Sequence, residues 1–564
     1  MRAHESRALF LVTSFLSLLL VGCSSSQGGS ENNSGGGVSN NRLNGSFIFR
    51  LKGFSGSAGF PFGIIGRLTA DGSGGIASGL EDVNIAQPDG SSVAFSSVAF
   101  TGSYSMDSTS HGTGKLTMAT PTPWAASPPL DPPPTTINFS FTLSHDGTFG
   151  DLIETDATAA TGSYVGSGNF QIKGNDTSGY DPGGSKFVGS YVFSFSGTAG
   201  MGTNGVSKGL IGRFDLVADL NLGAFAPGVI ANTSTIDDET LPGPTQLGGT
   251  ENASNDHGGF QIVGGTTQLI SFYYIDSQTF YALRMDPNAL GSHDAILLGV
   301  MRRIKLNASG QPIAFSQNSL QGSYVFSPLG ITSNGHASAA AGILSSQSVF
   351  GQTSGSVTGF FDSNDGGLVP VNLPISFGAT SGPAIFFINS FGRGSLSIFI
   401  TNSAGITVTY NFIFYLGSPG FGFILEQKAN DGSNRGRSGP LLQQTAVLPI
   451  AASGINGTFI EGTEVATAAS VNGLSVLAFN GSANNSGSFN AIENFEAPGM
   501  SPTSGPTSGT FTLTDPNNGR GTVTAFGTLL GSKDFALYVV SPTHVVVVGI
   551  DSTNSEPQII TVDQ

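Results

Sequence analysis

The chain is poor in several residue types on which whole classes of protein depend. Its 564 residues include one cysteine and one tryptophan, and Asp, Glu, Lys and Arg together make up 10%. A single cysteine excludes a disulfide framework and a multi-thiolate metal site. The low charge, combined with 42 phenylalanines, excludes a largely disordered chain, because disordered chains are rich in charge and poor in aromatic residues.

Basic clusters and metal-ligand motifs are also missing from the sequence. The formal net charge is -16, whereas nucleic-acid binding needs a concentrated basic footprint. The seven histidines form no His-Glu-x-x-His motif and no close pair of ligands. We therefore expect no nucleic-acid partner, no metal site and no cofactor.

The amino-terminal segment has the pattern of an export signal. Arg2 and Arg7 precede an apolar stretch at 8–21, which is shorter than the ~20 apolar residues that span a bilayer. The stretch ends in Leu20-Val21-Gly22-Cys23, which resembles the lipobox of bacterial lipoproteins. The resemblance implies removal of the signal peptide 1–22 and attachment of acyl chains, palmitate among them, to Cys23.

The residues after Cys23 predict where and how the chain is anchored. Serines follow Cys23 with no Asp beside it, which resembles the default for outer-membrane sorting in Gram-negative lipoproteins. Stable anchoring needs about two lipid signals, and a multiply acylated cysteine supplies them. Residues 23–41 are mostly Ser, Gly and Asn and predict a flexible tether. We expect a chain attached to the outer membrane through its lipid, on the periplasmic or the extracellular face.

Composition and alternation predict an all-β fold. The 82 glycines argue against long helices, because an interior Gly costs about 0.5–1 kcal/mol relative to Ala. Apolar residues alternate with polar ones at several places, as at Ile137, Phe139 and Phe141. A period of two is the pattern of half-buried strands.

A repeated phrase divides the chain into four units. The phrase has five positions: an apolar residue, any residue, glycine, Ser or Thr, and an aromatic residue. It recurs around Gly45, Gly189, Gly322 and Gly457, at intervals of about 140 residues. We expect β repeats at 42–173, 187–305, 320–427 and 454–564, separated by linkers at 174–186, 306–319 and 428–453. A second phrase follows as His111-Gly-Thr-Gly114, Phe391-Gly-Arg-Gly394 and Asn518-Gly-Arg-Gly521, with a looser His257-Gly-Gly in the second repeat. Its spacing predicts a hairpin turn rather than a functional site.

The first repeat predicts eight strands joined mostly by short segments. They lie near 46–52, 63–70, 75–84, 99–106, 113–119, 136–143, 150–156 and 164–172. Short connections suit antiparallel neighbours, so each repeat is predicted to form an eight-stranded up-and-down barrel, with a β-sandwich as the alternative. A barrel of this size is filled by side chains or holds one small ligand.

No catalytic constellation emerges from the spacing of polar residues. Gly205-Val-Ser207-Lys-Gly209 has the form of a nucleophile elbow, but no α/β sheet is predicted around it, so a turn between strands is expected. The acidic stretch that starts at Asp362 has Gly366 and Leu373 where a calcium loop needs oxygen ligands. Asp237-Asp-Glu239 is predicted to be a solvated loop.

The proline-rich segment at 119–136 is a candidate recognition loop. It contains Trp124, which could stack on a surface glycan or dock into an envelope protein. The alternative is a solvated loop with Trp124 folded back on its own domain.

The lipobox, tether and domain-sized repeats together resemble the large uncharacterised Gly-rich repeat lipoproteins of environmental Gram-negative bacteria. That resemblance implies no catalytic residues. We expect an envelope-anchored, non-enzymatic surface protein whose tandem β modules serve binding or structural roles. One alternative is a lipocalin-like carrier that holds an apolar molecule inside a barrel, and a second is a secreted hydrolase with a cleft in one repeat.

Overall fold

In this computed structural model, the described residues all lie in one compact unit, Val38–Gln564. The structure describes 40–564 apart from 56–58, 108–112, 120–135, 157–164, 175–187, 201–204, 218–228, 232, 239–243, 255–256, 265, 287–293, 349–353, 370–372, 377–383, 402–406, 428–434, 498–499 and 527–532.

The first repeat is a closed barrel of eight antiparallel strands. Each strand pairs with the next one, and the last pairs with the first. The strands are β1 (Asn44–Ser55), β2 (Phe60–Asp71), β3 (Gly75–Ala86), β4 (Ser92–Met106), β5 (Thr113–Ala119), β6 (Thr136–Thr142), β7 (Phe149–Glu154) and β8 (Val165–Ile172). All eight predicted strands are present.

The second repeat is a sheet of ten strands in which β10 pairs with β9, β11 and β12. Its strands are β9 (Gly189–Ala199), β10 (Val206–Val217), β11 (Val229–Ile230), β12 (Thr235–Asp238), β13 (Thr245–Gln246), β14 (Gly248–Ser254), β15 (His257–Gly264), β16 (Thr266–Tyr274), β17 (Thr279–Arg284) and β18 (Ile296–Arg303).

The third repeat also has ten strands, and its first strand pairs with its last. These are β19 (Gly322–Phe326), β20 (Leu329–Ile331), β21 (Ala337–Ser348), β22 (Gly355–Asp365), β23 (Leu373–Ser376), β24 (Ala384–Ile388), β25 (Arg393–Thr401), β26 (Thr407–Ser418), β27 (Phe421–Glu426) and β28 (Ser438–Gln443). The strand β28 lies inside the predicted linker 428–453, so that part of the linker belongs to the sheet.

The fourth repeat is again a closed eight-stranded barrel. It contains β29 (Asn456–Thr463), β30 (Asn472–Gly481), β31 (Ser486–Glu496), β32 (Thr503–Asp515), β33 (Arg520–Phe526), β34 (Asp534–Ser541), β35 (His544–Gly549) and β36 (Ile559–Asp563). The prediction of an all-β fold built from tandem antiparallel barrels is confirmed.

Helical structure in the described residues is limited to short 3-10 turns. They lie at Asn40–Arg42, Gln317–Leu320 and Ala452–Gly454. Among the described residues, no helix has both the length and the apolar character needed to cross a membrane.

Aromatic side chains placed over glycines fill the interiors of the sheets. Phe100 lies directly opposite Gly79 in the register of β3 and β4, and a Cβ added to Gly79 would come within 2.2 Å of the Phe100 ring. Phe414 covers Gly394 in the same way. Pairing a large residue with the smallest one gives the dense packing that a narrow barrel requires.

The four repeats pack head to tail in a closed ring. A strand near the start of each repeat packs against the last strands of the next repeat: β2 on β16–β18, β10 on β26–β28 and β21 on β34 and β35. The ring closes where β30 packs against β6–β8. Head-to-tail contacts give a closed ring when the rotation per unit fits the number of units, and here four repeats satisfy that condition within one chain.

Candidate functional site

Two predicted site residues lie outside the described part of the chain. Cys23 falls within 1–39, and Trp124 falls within 120–135. Lipidation at Cys23 and recognition through Trp124 therefore stay predictions.

The second repeated phrase supplies an arginine to two joints between consecutive repeats. Arg393 donates two hydrogen bonds to Asp237 of the second repeat, Nε to Oδ2 at 2.8 Å and Nη2 to Oδ1 at 2.6 Å. Arg520 donates to Asp362 of the third repeat in the same way, at 2.8 and 2.9 Å. Both carboxylates are fully buried. Bidentate arginine–carboxylate pairs are strong and directional, so the phrase joins repeats as well as making a turn.

A tyrosine on the adjacent strand completes each of these joints. Tyr415 pairs with Arg393 across β25 and β26, and Tyr538 pairs with Arg520 across β33 and β34. Both hydroxyls donate to the same aspartate as the neighbouring arginine, at 2.6 Å for Tyr415. Burial raises the pKa of Tyr415 above its ordinary value, so the phenol stays protonated and acts as a donor.

A histidine takes the arginine's place at the joint between the first and second repeats. The Nε2 atom of His257 lies 2.7 Å from Oδ2 of Asp82 and 3.0 Å from Oγ of Ser271. In a catalytic triad, the serine and the aspartate contact opposite ring nitrogens. Here both contact Nε2, and Ser271 also donates to Asp82. The opposite ring nitrogen, Nδ1, lies 3.5 Å from Oγ of Ser97, which is longer than the ~2.6–3.2 Å of a nucleophile–base hydrogen bond. The cluster joins two repeats, because Asp82 belongs to the first and His257 and Ser271 belong to the second.

Several sequence predictions need correction at these joints. The solvated loop predicted at 237–239 is wrong for Asp237, which is buried in β12. Ser207 was predicted to lie in a turn, but it lies in β10, where Oγ donates to the Gly436 carbonyl at 3.2 Å. Arg437, in the predicted linker, is fully buried and pairs with Glu426. Long-range packing between repeats buries these groups, and no local pattern encodes that packing.

A cavity of about 330 Å³ lies where the four repeats meet. The fifth residue after each opening glycine lines it, namely Arg50, Ser194, Ser327 and Gly462. In three repeats, the residue paired with this position on the last strand of the same repeat also lines the cavity. These residues are Asn169, Val300 and Thr561. We call this space the central cavity. Its wall is built from equivalent positions of all four repeats.

Three basic side chains line the central cavity, and they come from two neighbouring repeats. Arg50 donates from Nε to Oδ1 of Asn169 at 3.1 Å, and its nearest carboxylate, Glu464, is 3.6 Å away. Arg302 is exposed and stacks on the Phe421 ring, 4.4 Å from the centroid. The third is Lys52. Among the described residues, neither Lys52 nor Arg302 has a carboxylate within salt-bridge distance.

The acidic groups of the central cavity balance only part of this charge. Burial raises the pKa of Asp151 well above its ordinary value, and the Asp563 carboxylate raises it further. Burial also raises the pKa of Glu464, but Lys52 and Arg50 lower it by more, so Glu464 stays ionised. Burial likewise lowers the pKa of Lys52, and Glu464 opposes that shift. Three basic side chains therefore face three carboxyl groups, and the raised pKa of Asp151 favours its neutral form, which shifts the balance towards binding an anion.

The cavities inside the second and fourth repeats are much smaller than the central cavity. Inside the third repeat, Tyr324, Phe326, Phe412 and Phe414 are all buried in one cluster. Cavities of about 20 Å³ and 40 Å³ lie among core residues of the second and fourth repeats. Ligand sites for small organic molecules are ~300–1,000 Å³, so of these three cavities only the central one has the right size.

Two buried glutamates should make stability fall as the pH rises from about 4.5 to about 8. Burial and the Glu493 charge raise the pKa of Glu461, inside the fourth barrel, to about 8, and burial and the Asp82 charge do the same for Glu81. A group with a higher pKa in the folded state than in the unfolded state stabilises the fold when it is protonated. That contribution is fully present below the unfolded-state pKa of 4.5 and is lost as the pH rises through the folded-state pKa of about 8.

Between these two pH values, the free energy of unfolding should fall by up to about 1.4 kcal/mol per pH unit for each glutamate. Urea unfolding midpoints at several pH values would measure it. Replacing Glu461 by Gln should flatten part of the slope, and the matched change at exposed Asp534, to Asn, should leave it unchanged. An unchanged slope in the Glu461→Gln variant would contradict the assignment.

Comparison with known proteins identifies no relative. No protein family matches the chain, and no curated protein sequence is similar to it. Among solved structures, the chain aligns with the crystal structure of CghA with Sch210972 at 10% identity and a TM-score of 0.15, and with CghA at 11% and 0.16; each alignment covers 85% of this chain and 93% of the other. CdiB from Acinetobacter baumannii aligns at 8% identity and a TM-score of 0.10, over 92% of this chain and 60% of CdiB. Such low TM-scores show no shared fold.

Proposed function

We propose that the chain is an envelope-anchored binding protein whose four repeats build one site for a small anionic ligand. The observation that carries the proposal is the central cavity of about 330 Å³, to which every repeat contributes. Its volume falls within the usual range for small-molecule sites, and a few charged groups converge on it. The four copies then serve one site, in contrast to the expectation of four separate binding modules.

The charge of the central cavity supports an anion as the ligand. Lys52 and Arg302 lack close carboxylate partners among the described residues, and Arg50 has a distant one. A charge-assisted hydrogen bond contributes about 1.5–3 kcal/mol, so a carboxylate or phosphate that contacts two of these groups would be held firmly. An apolar ligand would remove water from these charged groups without offering them a hydrogen bond.

The lipobox at Cys23 supports attachment to the outer membrane. A tethered binding protein retains its ligand in the envelope, and the Ser/Gly/Asn-rich segment 23–41 would let the ring stand away from the lipid surface. A lipocalin-like carrier has less support, because aromatic side chains fill the barrel interiors. A hydrolase has less support because Ser271 and Asp82 share one ring nitrogen of His257, and the serine at the other nitrogen, Ser97, is 3.5 Å away, beyond the ~2.6–3.2 Å of a nucleophile–base hydrogen bond.

Replacing Arg50 and Lys52 by serine should weaken anion binding at least tenfold. Ser194 and Ser196 occupy the equivalent positions in the second repeat and also line the cavity, so the change copies a residue pair that this fold already accepts. The loss of one or two charge-assisted hydrogen bonds gives the expected factor. Titration calorimetry of the full chain with inorganic phosphate and with citrate would measure it.

A serine at exposed Lys115 is the matched control, and it should bind as the unaltered chain does. Native mass spectrometry of the purified chain should also reveal a co-purified anion that is missing from the Arg50→Ser/Lys52→Ser variant. Equal affinities in the variant and the unaltered chain, or no binding of either probe and no co-purified anion, would overturn the proposal.

A further inference from the structure

The joint that closes the ring, between the fourth and first repeats, differs from the other three. In the first repeat, Thr113 occupies the place that the arginine of the second phrase has in the third and fourth repeats. The strand register places Asn494 in the fourth repeat at the position that Asp82 occupies in the first repeat. Among the described residues, the buried apolar cluster of the closing joint has three members, whereas the cluster at the joint between the third and fourth repeats has thirteen. Among the described residues, the closing joint therefore lacks an equivalent of the buried arginine–aspartate pair and has a smaller apolar cluster; the salt bridge there, between Arg50 and Glu464, is a longer contact at 3.6 Å.

Two glutamates occupy facing positions at this closing joint. At the first joint, Asn84 donates from Nδ2 to the carbonyl of Arg284, the last residue of β17, at 2.8 Å. The register places Glu496 where Asn84 lies, and Glu154 ends β7 as Arg284 ends β17. Both glutamates are buried, with 1% and 0% of their surfaces exposed. Burial raises the pKa of Glu154 well above its ordinary value, and Glu496 raises it further, consistent with their proximity.

The surroundings of these two carboxyl groups contain polar atoms without partners. Asn472 lies directly opposite Glu496 in β30 and β31, so the two side chains share a face. It is fully buried. Among the described residues, neither its amide nitrogen nor its amide oxygen has a hydrogen-bond partner, and the same holds for Oε2 of Glu154. An unpaired buried polar group costs about 1–3 kcal/mol, so the orphaned atoms indicate a missing ligand.

The third repeat shows how the same acidic position is otherwise neutralised. Glu426 ends β27 as Glu154 ends β7, and Arg437 beside it forms a buried ion pair with it. In the first repeat, the register places Gly166 where Arg437 would be. The first repeat therefore keeps the acid, but none of its described Lys or Arg residues forms a salt bridge with Glu154.

We propose that Glu154, Glu496 and Asn472 bind one Ca²⁺ ion that holds the ring closed. Two carboxylates match the charge of a divalent ion, and the amide oxygen adds a neutral ligand of the kind that Ca²⁺ accepts in its flexible shell. Mg²⁺ fits less well, because it demands octahedral geometry and usually keeps several waters. Zn²⁺ fits less well, because the set has no nitrogen or sulfur ligand. The sequence predicts no metal site, so this proposal departs from that expectation.

The full chain, stripped with a chelator and dialysed against CaCl₂, tests the proposal. Elemental analysis should find one tightly held Ca²⁺ per chain, and Ca²⁺ should raise the Tm by a few degrees, because a ligand that binds only the folded state stabilises it. The variant Glu154→Gln/Glu496→Gln should bind none and show no rise. Asp534→Asn, which removes an exposed carboxylate from the same barrel, should keep both.

A third variant covers the case in which the double variant does not fold. Asn472→Ala keeps both carboxylates, and its Ca²⁺ affinity should fall at least tenfold. The proposal is overturned if the unaltered chain binds no Ca²⁺, if the Glu154→Gln/Glu496→Gln variant binds as much as the unaltered chain, or if Asn472→Ala leaves the affinity unchanged. A chain that binds no Ca²⁺, and whose double variant is more stable at neutral pH, would instead have a protonated glutamate pair at this joint.

Discussion

Replacing Arg520 by methionine should destabilise the chain by about 3–5 kcal/mol, because the change leaves the buried Asp362 carboxylate without its cation. Arg520 is 2% exposed and Asp362 is 0% exposed, so water cannot replace the lost hydrogen bonds. The methionine side chain keeps much of the length and packing of the arginine. Urea unfolding of the full chain, followed by circular dichroism, would measure the loss.

The matched double variant separates the unpaired charge from the loss of packing. Arg520→Met combined with Asp362→Leu removes both charges, and replacing a whole buried pair by apolar residues is often neutral or stabilising. Most of the lost stability should therefore return. If Arg520→Met alone cost less than about 1 kcal/mol, the pair would contribute no more than an exposed ion pair does, and the joint would not depend on it.

Local patterns were enough to predict the strands of the first repeat and the repeated all-β architecture, although the second and third repeats have ten strands and not the expected eight. All eight strands of the first repeat were expected, because alternation and turn residues are local signals. The largest difference between a predicted and an observed strand is at the start of β4. The strand was expected to begin at 99, and it begins at Ser92. Ser97 has a φ of 56° there, and the register with β3 shifts nearby. A bulge of this kind breaks the alternation on which the prediction relied.

The joints could not be predicted from local patterns, because their partners lie far apart in the chain. Asp237 and Arg393 are 156 positions apart and meet only through the head-to-tail packing of two repeats. One signal was nevertheless present in the sequence. In a chain with 10% charged residues, an arginine recurs between two glycines at equivalent places in the third and fourth repeats, and a turn alone does not require a charge there.

The central cavity was missed for a related reason. Alternation places Arg50 and Lys52 on the outer face of β1, where charged residues normally meet solvent. The outer faces of four barrels converge in the ring, so these residues line a cavity instead. The equivalent positions in the other repeats hold no basic residue, as Ser194 and Ser196 in the second repeat illustrate, so no charge pattern in the sequence pointed to the cavity.

Replacing Phe100 by alanine should destabilise the chain by about 3–5 kcal/mol. The ring is 5% exposed, packs edge-on against Phe49 with centroids 6.0 Å apart, and covers Gly79 on the facing strand. Its loss would leave a cavity that neighbours cannot fill, because the strand pairing of a closed barrel fixes their positions. The urea midpoint and Tm of the full chain would measure the effect.

A variant of Gly79, the residue that faces Phe100, is the control for this prediction. Gly79→Ala alone should also destabilise the chain, by about 1–3 kcal/mol, because the new Cβ would come within 2.2 Å of the Phe100 ring. The nearest atoms to that Cβ all belong to the Phe100 ring, so in the Phe100→Ala background the same change should be neutral or stabilising. Strictly additive costs would mean that the two residues do not contact each other. A coupling of 1 kcal/mol or more would show that aromatic residues and glycines in this chain act as packing pairs, which is why a fold with 82 glycines can still build dense cores.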